Sequence, residues 1–131
     1  MTPDHRPRVL LVEDHALIRS RVAAILASSC DVIGTAENGT AALREIPILD
    51  PDVVVLDVSL PDMSGLEVAA RLRRAGSTVL VLFLSAYDDD ELKRAAQAAG
   101  GDRYVVKSDL SQIATEVLAL TAARPRVSGQ A

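Results

Sequence analysis

Five polar side chains stand where short apolar runs end. Glu13 and Asp14 follow Val9–Val12, Asp57 follows Val53-Val54-Val55-Leu56, Ser85 follows Val79–Leu84, and Lys107 follows Tyr104-Val105-Val106. If these runs are parallel strands of one sheet, their carboxyl ends share an edge. Three carboxylates, a hydroxyl and an ammonium then converge there. Carboxylates and a backbone carbonyl suit Mg²⁺, which takes oxygen ligands and keeps several waters. A carboxylate can attack phosphorus and form an aspartyl-phosphate. Phosphoryl transfer asks mainly for positioning and charge neutralisation, which Mg²⁺, Lys107 and Ser85 would supply. Without metal, the clustered carboxylates repel, at a cost in stability that Mg²⁺ would restore. Alone, Asp57 reads equally well as the start of a turn, since Pro61, Asp62 and Gly65 follow it. The other strand ends weigh against that.

The elements that must position these groups alternate along the chain. Val9–Val12 reads as a strand. Leu17, Ile18, Val22, Ile25 and Leu26 recur at helical spacing and predict an amphipathic helix over about 15–28. Asp31–Ala36 is a second strand and Glu37-Asn38-Gly39 a turn. Thr40–Ile46 is a short helix that Pro47 ends. Asp50-Pro51-Asp52 turns into the valine-rich run, unbroken as in a strand buried on both faces. Ser64 and Glu67 have capping-box spacing and open a helix to about Ala75, with Leu66, Ala69, Ala70 and Leu72 inward and Gly76 closing it. After Val79–Leu84 come Asp88-Asp89-Asp90-Glu91. Consecutive residues cannot all face one ion, so Asp88 is read as a helix cap with Glu91 at the capping-box position. That helix, to about Ala99, buries only Leu92 and alanines, and its thin packing makes it the element expected to move most. After Gly100-Gly101, Tyr104–Val106 is the last strand. Ser108 or Asp109 caps a final helix with Leu110, Ile113, Val117 and Leu120 on one face. Strand and helix alternate five times, which predicts an α/β fold with a parallel sheet covered on both faces.

Composition sets the bounds. At 131 residues the chain fits one domain. With Phe83, Tyr87 and Tyr104 as the only aromatics, the core must be aliphatic. A net charge of −4 argues against direct nucleic-acid binding. Cys30 is the single cysteine, so no internal disulfide forms and a small buried side chain is its expected role. No apolar run reaches membrane-span length and no signal region opens the chain, so a cytoplasmic protein without membrane contact is expected. Residues 1–7 read as a flexible N-terminus and 123–131 as a disordered tail or the start of a linker. Arg124 and Arg126 in that tail read as solvated charges.

As an ordered set, Glu13-Asp14, Asp57, Pro61, Gly65, Ser85 and Tyr104-Val105-Val106-Lys107 resemble the receiver domain of bacterial two-component response regulators. Ala36-Glu37-Asn38-Gly39, Ala42-Leu43 and Pro51-Asp52 fit as well, and the likeness covers residues 8–122. The resemblance, which extends to the chemotaxis-type receiver fold, implies a flavodoxin-like, doubly wound, five-stranded sheet of order 2-1-3-4-5. It implies that Asp57 accepts phosphate from a sensor histidine kinase or phosphotransfer protein. Asp14 would bind Mg²⁺ directly and Glu13 through water, with Asp57 and the Ser59 carbonyl completing the protein ligands. Lys107 would hold a phosphoryl oxygen. Ser85 would move toward the phosphate and Tyr104 turn inward, changing the surface of the fourth helix, last strand and fifth helix for a downstream protein target. Ser59 and Tyr87 flank the expected phosphate and would tune its loss.

Ser108, Arg103 and the fifth helix depart from the usual pattern, Arg103 standing where a small or acidic residue is common. Ser108 replaces a proline common after the lysine, so a trans Lys107–Ser108 bond is expected. A phosphorylation-dependent dimer through helix 4, strand 5 and helix 5 is compatible with the resemblance. However, the fifth helix has no Lys or Arg before Arg124 for the charged dimer face of one DNA-binding branch. Two rival readings remain: a receiver-like protein-binding module that is never phosphorylated, and an aspartyl-phosphate phosphatase. The second wants an acid two residues after the nucleophile, where Ser59 stands, so the chain is not expected to be an enzyme beyond its own phosphorylation and dephosphorylation.

Overall fold

A computed structural model describes residues 6–124. Ten elements alternate: β1 (Arg8–Val12), α1 (Ala16–Leu26), β2 (Asp31–Ala36), α2 (Gly39–Leu49), β3 (Val53–Asp57), α3 (Gly65–Arg74), β4 (Leu80–Ser85), α4 (Asp90–Ala98), β5 (Arg103–Val106) and α5 (Ile113–Ala123). The five strands are parallel, in the order β2-β1-β3-β4-β5. This is the flavodoxin-like arrangement of the receiver fold.

The central strands β3 and β4 are buried along their whole length. Successive strand residues face opposite sides. Val9, Leu11, Val53, Val55, Leu82 and Leu84 therefore meet Val22 and Leu26 of α1 and Ile113, Val117 and Leu120 of α5. Leu10, Val12, Val54, Leu56, Val81 and Phe83 meet Ala42 and Ile46 of α2, Val68 and Leu72 of α3, and Ala96 of α4. Cys30 is buried in the first of these clusters. Both faces must be covered, which explains why the strand sequences are continuous apolar runs.

Several local expectations are corrected. Leu17 faces out, 76% exposed, while Val22 and Leu26 carry the buried face of α1. Helical spacing fits Leu17 to the stripe only at its margin, in the first turn. Pro47 does not end α2, which runs to Leu49. The end comes at Asp50, in the left-handed region at φ 50°, where Arg8 donates to the Leu49 and Asp50 carbonyls (2.9 and 2.6 Å). Proline forfeits one N–H, and a guanidinium satisfies the carbonyls that the last turn leaves open. Val68, not Ala70, joins Ala69 and Leu72 on the buried face of α3. Ser64 caps α3 through Leu66 N–H, but Glu67 pairs with Arg71 and Arg74 and does not close a capping box. The cap of α4 is Asp89, which accepts from Leu92 N–H, while Asp88 pairs with Lys93. Neither Ser108 nor Asp109 caps α5. Its cap position is Gln112, and Asp109 accepts from Ser111. The described residues contain no cis peptide bond, so Lys107–Ser108 is trans.

The sheet has two unlike edges. On the edge where strands begin, arginines satisfy backbone carbonyls: Arg73 takes those of Ser77, Val79 and Gly100, and Arg124 takes that of Thr78. Arg6, ahead of β1, reaches the carbonyls of Ala27 and Cys30. A groove on this edge is bordered by Pro7, Asp50, Thr78, Leu118 and Arg124. The opposite edge carries the polar strand ends. No helix among the described residues is long and apolar enough to cross a membrane. Expectations for residues 1–5 and 125–131 lie outside the described residues.

Candidate functional site

Asp57 ends β3 with its side chain almost wholly buried. Its Oδ1 accepts from Ser59 N–H (3.0 Å) and its Oδ2 from Lys107 Nζ (2.9 Å). β1 delivers Glu13, which is fully buried, and Asp14, which is exposed. Carboxylate oxygens of Glu13, Asp14 and Asp57 all lie within 4.8 Å of one another. Parallel register produces this meeting: Val12 pairs with Leu56, so the residues that follow each strand share one end of the sheet.

Glu13 Oε2 accepts from His15 N–H (3.0 Å). Lys107 Nζ lies 3.0 Å from Glu13 Oε1, but that buried oxygen has no hydrogen-bond partner among the described residues. Burial, and then the charge of Asp57, push the Glu13 carboxyl above the ordinary carboxylate range, although the His15 amide and Lys107 pull it down. Burial alone would lower the Lys107 ammonium, yet the Asp57 and Glu13 carboxylates outweigh it and hold its pKa above the ordinary value. Lys107 thus meets two of the three acids, but its single positive charge can offset only one of them. A buried carboxylate oxygen met only by an ion pair to Lys107, within a cluster of three acids, fits a hard divalent cation with oxygen ligands, Mg²⁺ above all.

Ser85 is buried at the end of β4, next to the Leu84 that pairs with Asp57. Its Oγ accepts from Tyr87 N–H (3.0 Å). The hydroxyl of Tyr104 on β5 donates to the Tyr87 carbonyl (2.7 Å), and Lys93 stands 5.8 Å from the centre of its ring. Tyr87 is therefore gripped at both backbone groups although the residue as a whole is 61% exposed.

Glu13, Asp14, Asp57, Ser59, Ser85, Tyr87, Tyr104 and Lys107, the site residues expected from the sequence, lie at this edge or at its flank. Two that matter were not anticipated. Arg19 of α1 donates to the Glu13 carbonyl (2.8 Å) and so fixes the backbone of the acidic pair. Asp62 binds the start of α2. Neither has a sequence signal, since both act on backbone groups of another element.

The sequence matches the family described as response regulator receiver domain over residues 9–118. This chain belongs to that family. Receiver domains are the signalling modules of two-component systems. Over 99 residues the domain is 43% identical to the probable transcriptional regulatory protein TcrX of Mycobacterium tuberculosis, a match covering 76% of this chain and 42% of that protein. Over 102 residues it is 37% identical to the DNA-binding transcriptional activator DevR/DosR of the same organism, covering 76% of this chain and 47% of that protein. The chain thus spans about half the length of these curated relatives. Among solved structures, the receiver domain of the putative response regulator NarL from M. tuberculosis superposes with a TM-score of 0.86 at 33% identity, covering 92% of this chain and 99% of that one.

Proposed function

We propose that this receiver domain is a phosphorylation-controlled switch in which Asp57 takes a phosphoryl group from a phosphohistidine of a sensor kinase or phosphotransfer protein. The observation that carries the reading is the buried Asp57 carboxylate at a strand end, 2.9 Å from Lys107 and within 4.8 Å of two further acids. An Asp57 oxygen forms a bond to phosphorus as the phosphorus–nitrogen bond of the donor breaks. The nitrogen keeps the electron pair and takes a proton from water. Lys107 leaves Asp57 Oδ2 and pairs with a phosphoryl oxygen. Ser85 exchanges the Tyr87 N–H for another phosphoryl oxygen, and its own proton becomes the donor. Asp14, Asp57 and the Ser59 carbonyl would hold Mg²⁺ directly and Glu13 through water, and the ion would supply positive charge against the developing phosphoryl oxyanions.

Loss of the Ser85–Tyr87 bond loosens one of the two grips on Tyr87, which gives Tyr104 freedom to turn inward. The surface of α4, β5 and α5 then differs between the two states and is read by a downstream partner: an output domain of the kind that the DNA-binding relatives carry, a separate protein, or a second copy. The domain acts as a switch, not as an enzyme on other substrates, and it works in the cytoplasm. Tyr87 and Ser59 flank the phosphate and set water access, so Tyr87→Ala should change the rate of phosphate loss in a radiolabel decay assay. An unchanged rate would remove Tyr87 from that role.

Intact mass after incubation with acetyl phosphate and Mg²⁺ tests the whole reading. A gain of one phosphoryl group that disappears in Asp57→Ala and without Mg²⁺ is expected. No gain in folded protein would favour the unphosphorylated binding module instead.

A further inference from the structure

The loop from Val58 to Ser64 carries Ser59 past the acidic cluster. Its base is closed on itself by Gly65 N–H to the Val58 carbonyl (2.7 Å) and by the Ser59–Ser64 bridge. Its tip is held from outside. Asp62 Oδ1 accepts from Gly39 N–H (2.8 Å), and Oδ2 accepts from Thr40 N–H (2.9 Å) and the Thr40 hydroxyl (2.6 Å). Asn38 already caps α2 through Ala41 N–H (2.7 Å), so Asp62 takes the donors that Asn38 leaves open in the same first turn. The carboxylate also lies at the positive end of α2. The Thr40 hydroxyl, then the two amides, hold its carboxyl down to about 2. Met63 packs beside this clasp. A Cβ on Gly39 would stand 2.5 Å from Met63 Cγ, so a larger residue there would have to displace Met63. Among the described residues, every hydrogen bond between residues 60–63 and α2 is made by Asp62.

We infer that Asp62 is a positioning residue for the metal site: it clasps the tip of the Val58–Ser64 loop to the first turn of α2 and so holds the Ser59 carbonyl where Mg²⁺ binds. This rests on the metal reading proposed above. The clasp works in both directions, because a coupling between two sites is reciprocal. A cation held by the Ser59 carbonyl would order the loop, and the ordered loop would hold Asp62 against Gly39 and Thr40.

The test is a Mg²⁺ titration followed by NMR at physiological ionic strength, with amide exchange rates of Gly39 and Thr40 measured in the free and saturated states. In the wild type, Mg²⁺ should slow exchange at both amides. Asp62→Ala should weaken Mg²⁺ binding by about three- to tenfold, below the usual range for outer-shell partners because Asp62 acts through the loop. It should also abolish the slowing. Thr40→Val keeps the Asp62 charge and drops only the 2.6 Å bond, so an intermediate loss separates the clasp from simple charge attraction. Ile46→Val loosens α2 packing away from the clasp and should leave Mg²⁺ affinity unchanged. Equal affinity in Asp62→Ala and wild type would overturn the inference. So would a loss in Ile46→Val as large as in Asp62→Ala. No Mg²⁺ binding by the wild type would overturn the metal reading itself.

Discussion

Glu13→Gln should stabilise the metal-free protein and remove most of its response to Mg²⁺. Glu13 is fully buried and shares a 4.8 Å cluster with Asp14 and Asp57. At an effective dielectric of about 20, two unit charges that far apart repel by about 3.5 kcal/mol, and Glu13 meets two of them. Lys107, 3.0 Å away, returns about 5.5 kcal/mol on the same scale. Desolvation adds to the unfavourable side, and screening of exposed Asp14 takes some away. The balance is a penalty of about 1–2 kcal/mol that a neutral isostere would relieve. The sign with pH follows from the raised Glu13 carboxyl. The folded state holds this proton more tightly than the unfolded chain, so stability falls as pH rises from the ordinary value of 4.5 through the folded one. Wild type and Glu13→Gln should therefore differ most near neutrality and converge in acid. Urea unfolding by far-UV circular dichroism suits a chain without tryptophan. At ten times its dissociation constant, Mg²⁺ should add about 1.4 kcal/mol to the wild type, and well under half of that to the variant. A variant less stable than wild type in EDTA at pH 7 would refute this reasoning, as would an undiminished Mg²⁺ increment.

Three further outcomes are expected. Gly65→Ala would put a Cβ 2.2 Å from the Asp57 carbonyl oxygen, with backbone atoms of Asp57 and Val58 at 3.0 Å. It should cost about 3 kcal/mol or more in urea and disturb the backbone of Asp57 itself. Leu17→Ser should leave the urea midpoint within about 0.5 kcal/mol of wild type, because a side chain 76% exposed has no packing to lose. Tyr104→Phe deletes the 2.7 Å bond to the Tyr87 carbonyl, which should cost about 1 kcal/mol locally. Hydrogen exchange in residues 86–89 should rise, and exchange in β3 should not.

The strands that carry Asp57 and Ser85 were legible because two-sided burial writes itself as an apolar run, and a polar residue ending such a run stands out. The meeting of Glu13, Asp14, Asp57 and Lys107 followed from parallel strands sharing an edge. Helix ends were harder to read. Asp88 and Asp89 offer the same cap, and only backbone angles choose between them. Pro47 signals a stop, yet Arg8 lets α2 continue by binding its last carbonyls, an interaction 41 residues long that no local pattern encodes. Leu17 lies at the margin of the helical stripe, and spacing alone did not show that it falls outside the buried face. Arg19 and Asp62 were missed for one reason. Each acts on another part of the fold mainly through backbone groups, which leave no trace in sequence, and the Thr40 hydroxyl that Asp62 also binds lies 22 residues away.

The groove bordered by both Pro7 and Arg124 lies on the edge where strands begin. The fold is therefore entered and left on one side, about 16 Å of strand away from Asp57. A dye placed beside Pro7 or Arg124 therefore sits at the end of the sheet opposite the carboxylates and would sense them only through changes carried across the fold. To report on Asp57, a probe belongs on the far edge, near Tyr87.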